Sequence, residues 1–238
     1  MKGLVISIVL VHIIFYSTYV DAESISALES VYRPTFESID GEKSAGKGFV
    51  TKYDDMLIFI TALHLIGEAG GFPRDYNGDE IVDVVRKLTA KNLDNDENVL
   101  VSNKVITLQG TEPSNDKRLN GDVAAFLIEP GKGSTSLPLS EAMPKQGERL
   151  FMLSTVYGSE NKRHQAFVVQ SSDDYIAYVF EDKSISLTAT SGAPLINDRG
   201  EVVAINISGG EADGYQIGFG NPSKVIIKYL DDAIDVKN

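Results

Sequence analysis

The sequence predicts an all-β fold with a C-terminal helix. Three observations predict it. Short apolar runs recur along the 238 residues, separated by Gly, Asp, Asn and Ser clusters. The 21 glycines are spread over the chain, as a fold with many turns requires. The last stretch changes to a helical periodicity. With 42% apolar and 24% charged residues the chain is of ordinary globular composition, and it is long enough to bury a sizeable core.

The first 22 residues differ from the rest. Lys2 is a short positive start, an apolar run extends from Leu4 to Tyr16, and Val20-Asp21-Ala22 places small residues where a signal peptidase inspects them. This pattern predicts a secretory signal over 1–22, cut after Ala22. The run is short of the about 20 residues that a membrane-spanning helix needs, and no later segment is apolar enough to span. The expectation is a secreted or periplasmic protein, with no membrane association after cleavage and one functional domain over 23–238. Cleavage removes one basic and one acidic residue, so the net charge stays at −12. Such a surface repels nucleic acid and anionic lipid. There are no cysteines. Zinc–thiolate chemistry and a cysteine nucleophile are excluded, and stability must come from the core. No cofactor or metal is called for.

Strands are predicted over 47–52, 56–62, 98–108, 122–129, 148–154, 165–170, 175–180, 201–208 and 215–219. Several are rich in β-branched or aromatic residues, which suits a sandwich or barrel. In 79–91, Ile81, Val84, Val85 and Leu88 recur at helical spacing, with a strand as the alternative. The stretch 131–144, rich in Gly, Ser and Pro, serves as a crossover between two halves. At the end, Asn221 is placed to cap a helix and Pro222 to occupy its first turn. Val225, Ile226, Tyr229, Leu230, Ala233 and Ile234 then share one face.

Three motifs carry chemistry. Ile60-Thr61-Ala62-Leu63-His64 ends a strand in a histidine. Asn120-Gly121-Asp122-Val123-Ala124-Ala125-Phe126-Leu127 opens an apolar strand with an aspartate. Thr190-Ser191-Gly192-Ala193-Pro194-Leu195 precedes the strand that begins near Glu201. A serine hydroxyl needs a base within hydrogen-bond reach, and imidazole has a suitable pKa. A carboxylate at the other ring nitrogen fixes the tautomer and stabilises the imidazolium. A glycine beside the serine lets the chain turn sharply and exposes backbone N–H groups. Each motif alone is common; their order and context together are specific. His164, in the charged stretch Asn161-Lys162-Arg163-His164, reads as a solvated loop residue.

These motifs resemble those of the trypsin-like (chymotrypsin-fold) serine peptidases. Thr-Ala-Leu-His is similar to the family's Thr-Ala-Ala-His, Asp-Val-Ala-Ala-Phe-Leu to its Asp-Ile-Ala-Leu-Leu, and Ser-Gly-Ala-Pro-Leu to its Ser-Gly-Gly-Pro-Leu. The order His, Asp, Ser is also this family's order. Gly46-Lys47-Gly48-Phe49-Val50 resembles the Gly-x-Gly-Phe-Val strand of bacterial members. The segment from Tyr215 to Phe219, followed by Pro222-Ser223, resembles the HtrA-like and glutamyl-endopeptidase-like branches. The resemblance runs from about Ala45 to Leu230.

It implies two six-stranded antiparallel β-barrels, the first over about 23–134 and the second over about 135–238. It implies an endopeptidase acting on protein or peptide substrates through His64, Asp122 and Ser191, with the N–H groups of Ala189 and Ser191 as oxyanion hole. Ile207, Ser208 and Gly209 would hold substrate backbone, and Ile185 and Ser186 would line the specificity pocket. The chain departs from the family in several places. Ala189 stands where glycine is usual. Thr190 stands where animal trypsins carry an aspartate that pairs with a freed N-terminus. Ile207 stands where a serine usually supports the catalytic aspartate. Ile185 replaces the aspartate that selects Arg and Lys, which predicts a neutral or acidic residue before the cut. Ala189 and Ile207 suggest the alternative, a protease-fold binding protein that has lost most activity.

Two further patterns carry little. Asp75-Tyr76-Asn77-Gly78-Asp79 resembles the start of a calcium loop, but Glu80 and Arg86 occupy the positions that want Gly and Glu, so it reads as an acidic surface loop. Asn206-Ile207-Ser208 is a glycosylation sequon by pattern, on a predicted core strand. The polar stretches 94–97 and 111–120 would border the cleft.

Overall fold

A computed structural model of the protein describes residues 28–115, 118–129 and 135–235. The predicted signal segment lies outside them.

The first half contains β1 (Val31–Ser38), β2 (Gly41–Ser44), β3 (Gly48–Tyr53), β4 (Met56–Thr61), β5 (Val85–Asn92), β6 (Val99–Ser102), β7 (Val105–Ile106) and β8 (Ala124–Ile128). They form one antiparallel sheet in the order β6-β5-β1-β3-β4-β8-β7, with β2 folded back on β1. Among the described residues this half has eight strands and not the six expected. The two extra strands are short: β2 is the return arm of a hairpin turned by Gly41, and β7 adds two residues beside β8. Across this sheet β6 reaches β8, where Ser102 Oγ donates to the Leu127 carbonyl at 2.7 Å.

The second half contains β9 (Arg149–Leu153), β10 (Arg163–Ser171), β11 (Ile176–Phe180), β12 (Pro194–Ile196), β13 (Val202–Ala212) and β14 (Tyr215–Pro222). These close into a six-stranded barrel, β10-β11-β14-β13-β12-β9. The all-β, chymotrypsin-like architecture thus holds.

The segment 79–91 resolves against the helix. Only one turn, α1 (Ile81–Val84), forms before the chain extends into β5. Alternation wins there: Val85, Leu88, Ala90 and Asn92 are buried while Arg86 and Lys91 are exposed. The C-terminal helix α2 (Ser223–Asp235) begins one residue after Pro222. Asn221 and Pro222 instead complete β14, Pro222 pairing with Ala204. Ile226 and Leu230 of α2 are fully buried in the same core as the first-half strands and as Val202 and Ile205 of β13. The helix thereby joins the halves. A second core, including Leu150, Met152, Tyr178 and Leu195, fills the barrel.

Candidate active site

β4 ends at Thr61, and a 3₁₀ turn (Leu63–Ile66) follows, held down by buried Leu63, Leu65 and Ile66. This turn carries His64. Asp122 sits immediately before β8, and the register Thr61↔Ala124 sets the two segments side by side. Asp122 is fully buried. Its Oδ2 meets His64 Nδ1 at 2.6 Å, and its Oδ1 accepts the His64 backbone N–H at 2.9 Å. One carboxylate therefore fixes both the ring and its backbone.

Burial opposes charge on both groups, but their mutual hydrogen bond and charge outweigh it. The His64 pKa is raised above its ordinary 6.5 and the Asp122 pKa is held below its ordinary 3.8. Asp75 adds to the field on His64, and a Ser114 side-chain hydrogen bond adds to the hold on Asp122. Ser114 supplies the support whose absence Ile207 suggested. It comes from the polar loop before Asp122 and not from β13, and no local pattern in that loop marks it.

Ser191 lies in the turn between 187 and 193, which docks on the first half. The Ser191 carbonyl accepts the Lys47 N–H at 2.8 Å. A Cβ on Gly46 would lie 2.5 Å from Leu65 and 2.6 Å from the Ser191 carbonyl, so Ser191 and the residue after His64 flank the same glycine. A Cβ on Gly192 (φ +83) would meet the Lys47 carbonyl at 2.0 Å. Both glycines are needed for this close approach. Ser191 Oγ makes no hydrogen bond to His64; catalytic hydrogen bonds of this kind often tighten only once the reacting groups are engaged.

The turn's backbone donors divide into two sets. Thr190, Gly192 and Ala193 donate to Leu187, Asn206 and Thr190 respectively. Among the described residues the Ala189 and Ser191 N–H groups donate to nothing. Two free donors thus flank the turn next to Ser191.

Ala189 has φ +60, a left-handed conformation that costs a non-glycine residue about 1–2 kcal/mol. Its carbonyl accepts Lys47 Nζ at 3.0 Å, and a hydrogen bond to a charged group is typically worth about 1.5–3 kcal/mol. Lys47 is only 2% exposed. Burial, together with the charge of Arg33, lowers its pKa to about 8.

Thr190 is fully buried and anchored from within the barrel. Its Oγ1 donates to the Leu187 carbonyl at 2.7 Å and accepts Asn206 Nδ2 at 2.9 Å, while buried Tyr178 donates its hydroxyl to Asn206 Oδ1. This chain of side chains leaves no need for an aspartate paired with a freed N-terminus. It also explains the sequon: Asn206 is 1% exposed and engaged on both amide atoms.

Ile207 is buried, and the ladder between β13 and β14 shifts there, between Asn206 and Ser208. Ser208 and Gly209 follow on the exposed part of β13. Ile185 is packed in the barrel core, whereas Ser186 lines a groove of about 510 Å³ with Arg33, Lys47, Tyr157, Thr188 and Ala189.

His164 corrects the sequence reading. It is on β10, 5% exposed, with Nε2 bonded to the Ser154 carbonyl at 3.0 Å; burial lowers its pKa. Strand alternation turns it inward while Arg163 faces solvent. In the loop that resembles a calcium site, Asp75 accepts the Glu68 N–H and Glu80 pairs with Arg74.

Comparison with known proteins agrees with this architecture. No curated protein matches the chain in sequence. Among solved structures, the serine endoprotease from Yersinia pestis is similar, with a TM-score of 0.59 and 16% identity over 87% of this chain. The match spans 64% of that protein's chain. The model of the trypsin-like peptidase domain matches residues 46–205, which contain His64, Asp122 and Ser191. The chain belongs to the trypsin-like peptidase family.

Proposed function

We propose that the protein is a serine endopeptidase that cuts protein or peptide substrates through an acyl-enzyme. The observation that carries this reading is the buried Asp122 carboxylate bound to His64 Nδ1, beside a serine turn with two free N–H donors. With Nδ1 held by Asp122, His64 Nε2 is the nitrogen left to act as base. Ser191 Oγ attacks the scissile carbonyl carbon as its proton passes to Nε2. The carbonyl π pair moves onto oxygen, where the Ala189 and Ser191 N–H groups receive the negative charge. Collapse breaks the C–N bond, and the amine leaves with the proton from Nε2. Water then repeats the sequence on the ester and regenerates Ser191.

Substrate backbone would add alongside Ile207, Ser208 and Gly209 as a further strand. Ser186 would face the residue before the cut, with Ile185 behind it in the barrel core. With no carboxylate supplied there, that residue is expected to be neutral or acidic; a peptide-library profile dominated by Arg and Lys would contradict it. The acting unit is the domain over 23–238, secreted or periplasmic after loss of 1–22. Mass spectrometry of exported protein should find Glu23 as the first residue, and an intact Met1 would refute the cleavage.

The test of the activity is a fluorophosphonate probe. Stoichiometric labelling confined to Ser191 is expected, and no labelling of the folded protein would overturn the reading. Ala189 does not favour the inactive alternative, because the turn already holds the left-handed backbone that glycine would provide.

A further inference from the structure

We infer that Lys47 is a positioning residue for the oxyanion turn: its ammonium, enclosed between the two halves, holds the Ala189 carbonyl and so keeps the Ala189 and Ser191 N–H groups free to face the substrate. The inference rests on the peptidase reading above and extends it to a residue outside the His-Asp-Ser set.

The geometry is two-point. Lys47 Nζ donates to the Ala189 carbonyl at 3.0 Å, and the Lys47 backbone N–H donates to the Ser191 carbonyl at 2.8 Å. Lys47 is fixed in turn, since its own carbonyl accepts Thr61 Oγ1 at 2.6 Å. The two carbonyls on either side of Thr190 are thus tied to one residue 142 positions from Ala189. Pinning those two peptide planes sets the plane between them, which carries the Ser191 N–H. Pinning the plane after Ala189 also restrains φ and ψ at Ala189, the residue that carries the other free N–H. A glycine would hold this shape without restraint; an alanine at φ +60 requires one.

The charge itself needs an explanation. Lys47 is 2% exposed, and no carboxylate pairs with it among the described residues. A leucine or methionine would fill the same space without removing an ammonium from water. The charged and titratable groups around Lys47 are Arg33 on β1, Tyr157 in the groove and, beyond Ser191, His64 and Asp122. The nearest of these in effect is a like charge. What the ammonium gains here is the Ala189 carbonyl.

The test compares fluorophosphonate labelling rates of wild type, Lys47→Met, Ala189→Gly and the double variant from pH 6 to pH 10, with folding monitored by circular dichroism. Wild type should label at a rate that rises as His64 loses its proton and falls again above about pH 8, as Lys47 loses its own. Lys47→Met should label at least about tenfold more slowly near neutral pH, a share of the roughly 10²–10³ that losing an oxyanion donor costs. Its profile should lack the alkaline fall. The double variant should recover most of the Ala189→Gly rate, because glycine needs no restraint. A Lys47→Met rate equal to wild type, an alkaline fall that persists in it, or a double variant as slow as Lys47→Met would each overturn the inference while leaving the peptidase reading intact. If Lys47→Met does not fold, a wild-type rate that stays flat from pH 8 to pH 10 overturns it. An unlabelled wild type overturns the peptidase reading and this inference with it.

Discussion

His64 is held at two points by one buried carboxylate, so its ring has a single orientation and its raised pKa has a single dominant partner. Proton transfer to Nε2 requires the neutral ring. Activity should therefore rise with pH through a pKa above 6.5, and Asp122 should stay ionised throughout that range. Ser191→Ala and His64→Ala should each abolish nearly all cleavage, by roughly 10⁴-fold or more, with similar losses that do not add in the double variant, because the residues act as one unit. Cleavage that survives Ser191→Ala would refute the assignment. These residues were legible because each sits in a motif contiguous in sequence. Lys47 and Ser114 were not. Their partners lie far off or in an unpatterned loop, and a lysine between two glycines looks like any solvated charge. His164 hides in the sequence for the complementary reason: its neighbours are charged, but on a strand the neighbours of a buried residue face the other way.

At the scale of elements, the Ser191 turn is fitted between β3–β4 and β13. Gly192→Ala would set a Cβ 2.0 Å from the Lys47 carbonyl and 2.7 Å from Thr61 Oγ1, at a φ of +83. Backbone cannot yield as a flexible side chain does, so the turn should lift from the first half. Probe labelling should fall at least about tenfold even if the barrel persists, consistent with loss of part of the oxyanion stabilisation. On the barrel side, Asn206→Leu would strip the Tyr178 hydroxyl and Thr190 Oγ1 of their shared partner. Leaving a buried polar group unsatisfied costs about 1–3 kcal/mol. A urea midpoint unchanged by the substitution would show that the chain of side chains is not holding the turn. The predicted strands mark most elements correctly, because alternation is local. One exception, 79–91, fails because Ile81, Val84, Val85 and Leu88 satisfy both a helical and a partly alternating pattern, and pairing of β5 with β1 and β6 decides between them. β1, β2 and β12 carry no predicted strand, β1 because Pro34 interrupts its pattern and the other two because they are short, and the single strand predicted over 98–108 divides into β6 and β7.

For the whole molecule, the joint between the halves combines an apolar part with a charged one. Ile226 and Leu230 of α2 bury against both halves and stabilise the fold. Lys47 lies at the same joint and does the opposite. Its pKa is about 8 in the folded protein against 10.5 for a free lysine. Between those values the unfolded chain binds more protons than the folded one, so stability rises with pH through this range. Below about pH 8 the lysine is charged in both states, and its burial costs the fold about 3 kcal/mol, at 1.36 kcal/mol for each pKa unit. Lys47→Met removes that cost but leaves the Ala189 carbonyl without its partner, which returns roughly 1 kcal/mol or more. The variant should be more stable than wild type near neutral pH by about 1–2 kcal/mol on that difference. The advantage should shrink steadily from pH 8 to pH 10. Buried Tyr178, whose hydroxyl is held protonated by burial, affects both proteins alike and drops out of the comparison. Urea titrations of the two proteins at pH 7 and pH 10 measure the difference directly. A variant less stable than wild type at neutral pH would make Lys47 a structural residue. A variant more stable yet slower to react with the probe would show that this joint is built for the site at the expense of the fold.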